Sequence, residues 1–191
     1  WSMGMTTFEQ NLYVVDTDNH RISVYDSNTF EKKLEFKSPL SHYCKTTNNW
    51  TVSNPDCLYT MKNLPTSIAI LNEKIFVSYG FQDDIQIFDL DGKFLSKFGS
   101  SGNQKGEFSR PMQISASNDL LYIADSGNKR IQVVDPEGQF VNEFSVSISN
   151  ESDLQIDVEI SENKIFVINN KNSDLFIYDL NGNLIKKITL K

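Results

Sequence analysis

LYIADSGNKRIQVVD, residues 121–135, decides the fold, because the chain carries this stretch in four versions. Aligned with it are LYVVDTDNHRISVYD from Leu12, IFVSYGFQDDIQIFD from Ile75 and IFVINNKNSDLFIYD from Ile165, each fifteen residues long without a gap. The starts lie 63, 46 and 44 residues apart. Self-similarity at spacings of that order marks a solenoid or a propeller. Within each unit an aliphatic or aromatic run, such as residues 121–124, leads through a polar turn at 125–129 to an alternating segment ending at Asp135. That is the pattern of two short strands joined by a turn.

A further strand follows a tight turn, and these turns read DSNT, LDGK, PEGQ and LNGN. Gly, Asn, Asp or Pro there supplies the backbone geometry of a hairpin. The strands after them carry Phe94 with Phe98, Phe140 with Phe144, and Leu184 with Ile188. At a spacing of four residues, each pair is expected on one face of its strand. Upstream of the units stand SIAIL at 67–71, MQISAS at 112–117, LQIDVEI at 154–160 and MTTF near the start, one candidate strand each. No segment sustains helical apolar spacing for ten residues. Four-stranded antiparallel units repeated about an axis describe an all-β fold, a β-propeller. The expectation is one domain of four blades, roughly 1–37, 66–99, 110–146 and 153–191, with an inserted loop at 38–65.

The units LYVVDTDNHRISVY and LYIADSGNKRIQVV resemble the NHL repeat, whose pattern runs roughly [LV]-Y-V-[AT]-D-x-x-N-[HN]-R-[IV]-x-[VK]-[FY]; the first carries Asn19 and His20. The second and fourth units depart from it, with Asp83-Asp84-Ile85 and Ser173-Asp174-Leu175 where arginine is expected. GSSGNQKGEFSRP, 99–111, is similar to the Gly-rich connection between blades of that family. The resemblance covers nearly the whole chain. It implies a propeller fold and little about activity, since NHL propellers serve as enzymes, RNA readers and extracellular interaction domains. Closed propellers of this type have about six blades. Four blades therefore either close by themselves or form an arc of a larger propeller, exposing an apolar blade face at each end for a partner chain to complete or cover.

Physics accounts for the signature without invoking chemistry. Strands covered on both faces by neighbouring blades need dense Leu, Ile, Val, Tyr and Phe. Asp125 with Asn128, and Asp16 with Asn19, suit an Asx-type turn, and Arg21 and Arg130 can fold back onto the carboxylates. Residues that recur with the blades are scaffold, whereas an active site is singular. Strand parity then puts the turns inside each fifteen-residue unit and the connections between blades on one rim, with the remaining hairpins on the other.

The longest connection lies between the first two units and reads KSPLSHYCKTTNNWTVSNPDCLYTMKNLPT. It holds both cysteines, Cys44 and Cys57, in a polar, Asn-rich segment. A disulfide closing that loop of about 14 residues is worth about 3 kcal/mol in the chain-entropy view. Zinc would need two further ligands, and His42 alone stands nearby. A disulfide implies an oxidising compartment. The sequons Asn49-Trp50-Thr51 and Asn150-Glu151-Ser152 fit a secreted glycoprotein. Extracellular, cell-surface or otherwise extracytoplasmic placement is therefore expected. Tyr43, Trp50 and Tyr59 in the insertion are candidates for an aromatic contact patch, or for packing the insertion onto the propeller.

Composition narrows the partners. A net charge of -7 over 191 residues opposes binding to phosphate-rich nucleic acid. The cations available on the rim, Arg21, Lys129, Arg130 and Lys171, are interleaved with Asp16, Asp18, Asp83, Asp84 and Asp174. No apolar run is long enough to cross a bilayer as a helix. The histidine-held zinc of amidating-lyase-like NHL propellers cannot be assembled from His20 and His42, which stand at unlike positions. There is no G-x-S-x-G elbow and no phosphate-loop ending. A calcium-dependent hydrolase or lactonase would gather inward Asp, Asn and Glu oxygens, for which Asp157 and Glu159 are candidates; alternation equally points them at solvent. The reading that remains is a non-catalytic interaction module without a cofactor, binding a protein or glycan through rim loops. A calcium-dependent or lyase-like enzyme and a structural part of an envelope assembly are the alternatives.

Overall fold

The computed structural model describes residues 2–40, 64–147, 155–169 and 174–189. They form four antiparallel sheets of four strands, each sheet in chain order. The first holds β1 (Ser2–Phe8), β2 (Asn11–Asp16), β3 (Arg21–Asp26) and β4 (Lys32–Phe36). The second holds β5 (Ser67–Leu71), β6 (Lys74–Tyr79), β7 (Asp84–Asp89) and β8 (Phe94–Phe98). The third holds β9 (Pro111–Ser117), β10 (Leu120–Asp125), β11 (Arg130–Val134) and β12 (Phe140–Ser145). The fourth holds β13 (Ile156–Ser161), β14 (Lys164–Asn169), β15 (Asp174–Asp179) and β16 (Leu184–Thr189). β1 packs on β5, β5 on β9 and β9 on β13, so the first strand of every sheet lies innermost and the sheets fan out as propeller blades.

Local chemistry sets each hairpin. The first turns of sheets two to four are two-residue turns with both φ values positive, at Asn72 and Glu73, Asn118 and Asp119, and Glu162 and Asn163. That is the type I′ geometry whose twist matches the flanking strands. The last turns use one aspartate each. Asp89, Asp135 and Asp179 accept two backbone N–H bonds through Oδ1, and Gly92, Gly138 and Gly182 follow at φ +78, +83 and +85.

Those glycines also dock the blades. A Cβ on Gly92 would meet the Phe36 ring at 2.5 Å, one on Gly138 the Phe98 ring at 2.4 Å, and one on Gly182 the Phe144 ring at 2.5 Å. At each junction the last strand of one sheet therefore seats a phenylalanine on a glycine of the next. Gly138→Ala combines a left-handed backbone strain with overpacking, and is expected to cost about 1–3 kcal/mol in a denaturant titration.

One expectation is corrected here. Phe94 and Phe98 do not share a face: Phe94 is opposite Phe88 and packs in the core before the second sheet, whereas Phe98 is opposite Ile85 and packs in the core after it. Phe140 and Phe144 divide in the same way, opposite Val134 and Ile131, as do Leu184 and Ile188, opposite Tyr178 and Leu175. A β-bulge in each outer strand adds one residue and reverses the alternation. The residues at these bulges, Leu95, Val141 and Ile185, are exposed. Bulges there blunt the outer edge of each blade against pairing with other chains.

Three buried cores join sheets one to two, two to three and three to four. Among the described residues no buried cluster joins the fourth sheet to the first. Burial along the strands agrees. β6, β7, β10 and β11 are buried on both faces, whereas β2, β14 and β15 alternate. Phe166, Ile168, Leu175 and Ile177 on the fourth sheet, and Leu12, Val14 and Tyr25 on the first, are only half-buried. They occupy the register positions that inside the stack face a neighbouring sheet.

Candidate functional site

The rim formed by the β2–β3, β6–β7 and β10–β11 turns and by the connections between sheets carries the polar signature. In the third sheet a 3-10 turn at Ser126–Asn128 ends with Lys129 at φ 55, left-handed, which turns the chain back so that Arg130 stands opposite Asp125. Asp125 is fully buried. It accepts from Ser109 N at 2.7 Å, Asn128 Nδ2 at 2.9 Å and Arg130 Nε at 2.8 Å. Arg130 Nη1 donates to Glu143 at 2.7 Å and the Asn103 carbonyl at 2.9 Å; Nη2 donates to the carbonyls of Gln104 at 3.0 Å and Glu107 at 2.9 Å. All five guanidinium hydrogens are thus engaged. Asn128 adds a bond to the Gly102 carbonyl at 2.8 Å, and Gln132 brackets the same loop with bonds to Gly106 N and the Glu107 carbonyl. The Gly-rich connection 99–110 is therefore clamped by its backbone, so its side chains are presented from a fixed frame.

The first sheet repeats this arrangement in a more open form. Its 3-10 turn at Thr17–Asn19 ends with His20 left-handed at φ 56, a geometric use of this histidine. Arg21 Nε donates to Asp16 at 2.8 Å and Nη1 to Glu35 at 2.9 Å, while Asn19 Nδ2 reaches both Asp16 oxygens. Burial raises the Asp16 pKa, but the bonds from Arg21 and Asn19 outweigh it and hold the carboxyl below its ordinary range.

Sheets two and four, which lack the arginine, carry the opposite arrangement of charge. Asp84 on β7 pairs with Lys97 on β8, and Asp174 on β15 with Lys187 on β16, both at 2.8 Å. Lys97 and Lys187 stand at the register positions of Glu35 and Glu143. Arg with Glu in sheets one and three becomes Asp with Lys in sheets two and four. Sequence reading missed this compensation, although the alternation Glu35, Lys97, Glu143, Lys187 was there to be read. It also missed two bonds between neighbouring sheets: Thr17 Oγ1 donates to the Pro65 carbonyl, and Ser126 Oγ accepts from Ile156 N.

These pairs make stability pH-dependent. Lys187 and Thr189 lower Asp174, Lys33 and two backbone N–H groups lower Asp26, Asn183 lowers Asp179, and Lys32 with Arg21 lowers Glu35. Groups with depressed folded-state pKa values stabilise above their ordinary range and lose that contribution as pH falls through the folded values. The thermal midpoint is therefore expected to hold between about pH 7 and 5 and to fall below about pH 4. At the other end, burial raises the Tyr13 and Tyr122 phenols, so stability also declines above about pH 10. Circular-dichroism melts across pH check both limbs.

Glu159 is exposed and accepts from Ser115 Oγ at 3.3 Å, and Asp157 is half-buried on the same strand. Among the described residues no three His, Cys, Asp or Glu side chains are placed to hold a metal ion. Cys44, Cys57, Tyr43, Trp50, Tyr59, His42, Asn49, Asn150 and Lys171 lie outside the described residues. No helix among the described residues is long and apolar enough to cross a membrane.

Residues 57–157 match the model of a family described as 6-bladed beta-propeller. Among solved structures, Kuenenia stuttgartiensis hydrazine synthase superposes with a TM-score of 0.68 at 15% identity, over 99% of this chain and 49% of its own. A streptogramin B lyase superposes with a TM-score of 0.64 at 16% identity, over 99% of this chain and 54% of its own. The chain thus spans about half the length of either neighbour. Likeness at such identities shows the shared fold. No curated protein matches the chain.

Proposed function

The chain belongs to the 6-bladed beta-propeller family, and from that premise we propose that it is a non-catalytic interaction module built from NHL-like repeats, which binds a protein or glycan through the loops of one rim. The observation that supports this reading most is the clamp on residues 99–110, where Arg130, Asn128 and Gln132 hold the connection by its backbone. A loop fixed in this way has little ordering entropy left to lose on binding. The residues with the most chemical promise on the rim, Asp16, Arg21, Asp125 and Arg130, are engaged with one another and with main chain. The net charge of -7 favours neutral or basic partners. In this reading Cys44 and Cys57 close the insertion, Tyr43, Trp50 and Tyr59 are its contact residues, Asn49 and Asn150 carry glycans, and the protein works outside the cytoplasm.

The test is to screen the purified chain against a glycan array and a panel of extracytoplasmic proteins, and in parallel against lactone and ester substrates with and without calcium. Saturable binding that Trp50→Ala weakens at least tenfold, without turnover, supports the module. Turnover that rises with calcium would replace it with the hydrolase reading. Intact-mass measurement before and after reduction, and after glycosidase treatment, tests the disulfide and the two sequons.

A further inference from the structure

The three junctions inside the stack share one device, a phenylalanine on the last strand of a sheet seated against a left-handed glycine of the next: Phe36 on Gly92, Phe98 on Gly138, Phe144 on Gly182. The corresponding positions at the two open ends both differ. In the first sheet the left-handed position of the β3–β4 turn is Phe30, at φ 60, whose N–H bonds the Asp26 carbonyl as Gly92 N bonds that of Asp89. The turn is one residue longer, and Phe30 is 69% exposed. A left-handed phenylalanine is strained where glycine is free. In the fourth sheet Ile188, opposite Leu175, stands where Phe36, Phe98 and Phe144 stand opposite Ile22, Ile85 and Ile131.

A second observation concerns the rim beside the same face. Arg130, 12% exposed, engages all its hydrogens, three of them on carbonyls of the connection that leads into its sheet. Arg21, 29% exposed, bonds Asp16 and Glu35 through Nε and Nη1, and among the described residues no bond from Nη2 is formed. Its position faces the same open side as Leu12, Val14 and Tyr25.

We propose that this open face of the first sheet receives a further four-stranded sheet of the same repeat through an inverted lock: Phe30 supplies the aromatic ring, and the arriving sheet presents a small side chain where Phe36, Phe98 and Phe144 stand in the others. An arriving phenylalanine would meet the Phe30 side chain at a place where, in the other junctions, even a Cβ is too close. The connection from that sheet brings main-chain carbonyls to Arg21. A second whole copy does not fit the same role, because two copies bring eight sheets to a ring whose family has six.

The test joins a duplicate of residues 99–147 ahead of Ser2, linked by a second duplicate of 99–110, so that the third sheet is offered to the first. Four proteins are compared, with the duplicated Phe144 kept or changed to alanine, and with Phe30 kept or changed to glycine. Beside Phe30 the Phe144→Ala duplicate is expected to melt higher than the unchanged one by roughly 5 °C, and in the Phe30→Gly background the order is expected to reverse. Docking itself is read from loss of paramagnetic broadening of the Leu12 and Val14 methyls by a neutral gadolinium agent. The proposal is overturned if the unchanged duplicate is the more stable beside Phe30. It is equally overturned if no duplicate shields those methyls, or if the unextended chain already forms a dimer that shields them.

Discussion

Arg130→Met is expected to cost about 3–5 kcal/mol of unfolding free energy, read as a lower denaturant midpoint, while Arg21→Met at the equivalent place costs about 1 kcal/mol or less. The two arginines share a register position, an aspartate partner at 2.8 Å and a glutamate partner on the last strand. They differ in what lies around them. Asp125 is fully buried, and removing its cation leaves a carboxylate held only by dipoles from Ser109, Asn128 and Gln132. The same change removes the donor to the Asn103 carbonyl and one of two donors to each of the Gln104 and Glu107 carbonyls, which keep their bonds from Glu107 N and Gln132 Nε2. Asp16, about a quarter exposed, recovers water when Arg21 is lost. Arg130→Lys is not expected to rescue, since one ammonium cannot span a carboxylate and three separate carbonyls. Equal costs at the two sites would mean that the clamp on 99–110 adds nothing to the fold.

The blades were legible because their evidence is redundant: four aligned units, turn residues at fixed offsets and apolar strands of matching length all point to one repeat. Folding of Arg21 and Arg130 onto their aspartates was legible for the same reason, since the pattern placed both partners on adjacent strand ends. What escaped was information carried by register. Phe94 and Phe98 look like one face at a spacing of four, and only the bulge near Leu95 sends them into different cores. Asp84 and Asp174 look like departures from a repeat until Lys97 and Lys187 are seen across the ladder. The clamp on 99–110 is built from main-chain carbonyls, which every residue has, so no side-chain pattern announces it.

How the four sheets end is the question with the largest energetic consequence, and two isoleucines answer it. Ile87 and Ile177 occupy the same position of the fifteen-residue unit, on the face turned toward the following sheet. Ile87 is 5% exposed, packed in the core between the second and third sheets; Ile177 is half-buried. Ile87→Ala removes three carbons from a closed core and is expected to cost about 2–5 kcal/mol. Ile177→Ala trims a side chain with water already on one side, and is expected to cost about 1 kcal/mol or less. The difference should persist in urea titrations at several protein concentrations, because it reflects one covered and one open face within the same chain. A chain that closed its four sheets on themselves in solution would bury Ile177 against the first sheet, and the two costs would then converge. If Ile177→Ala approaches the cost of Ile87→Ala only at high concentration, copies of the chain are covering that face. With the costs apart at every concentration, the fourth sheet keeps an apolar face of Phe166, Ile168, Leu175 and Ile177 whose register is that of a blade still waiting for its neighbour.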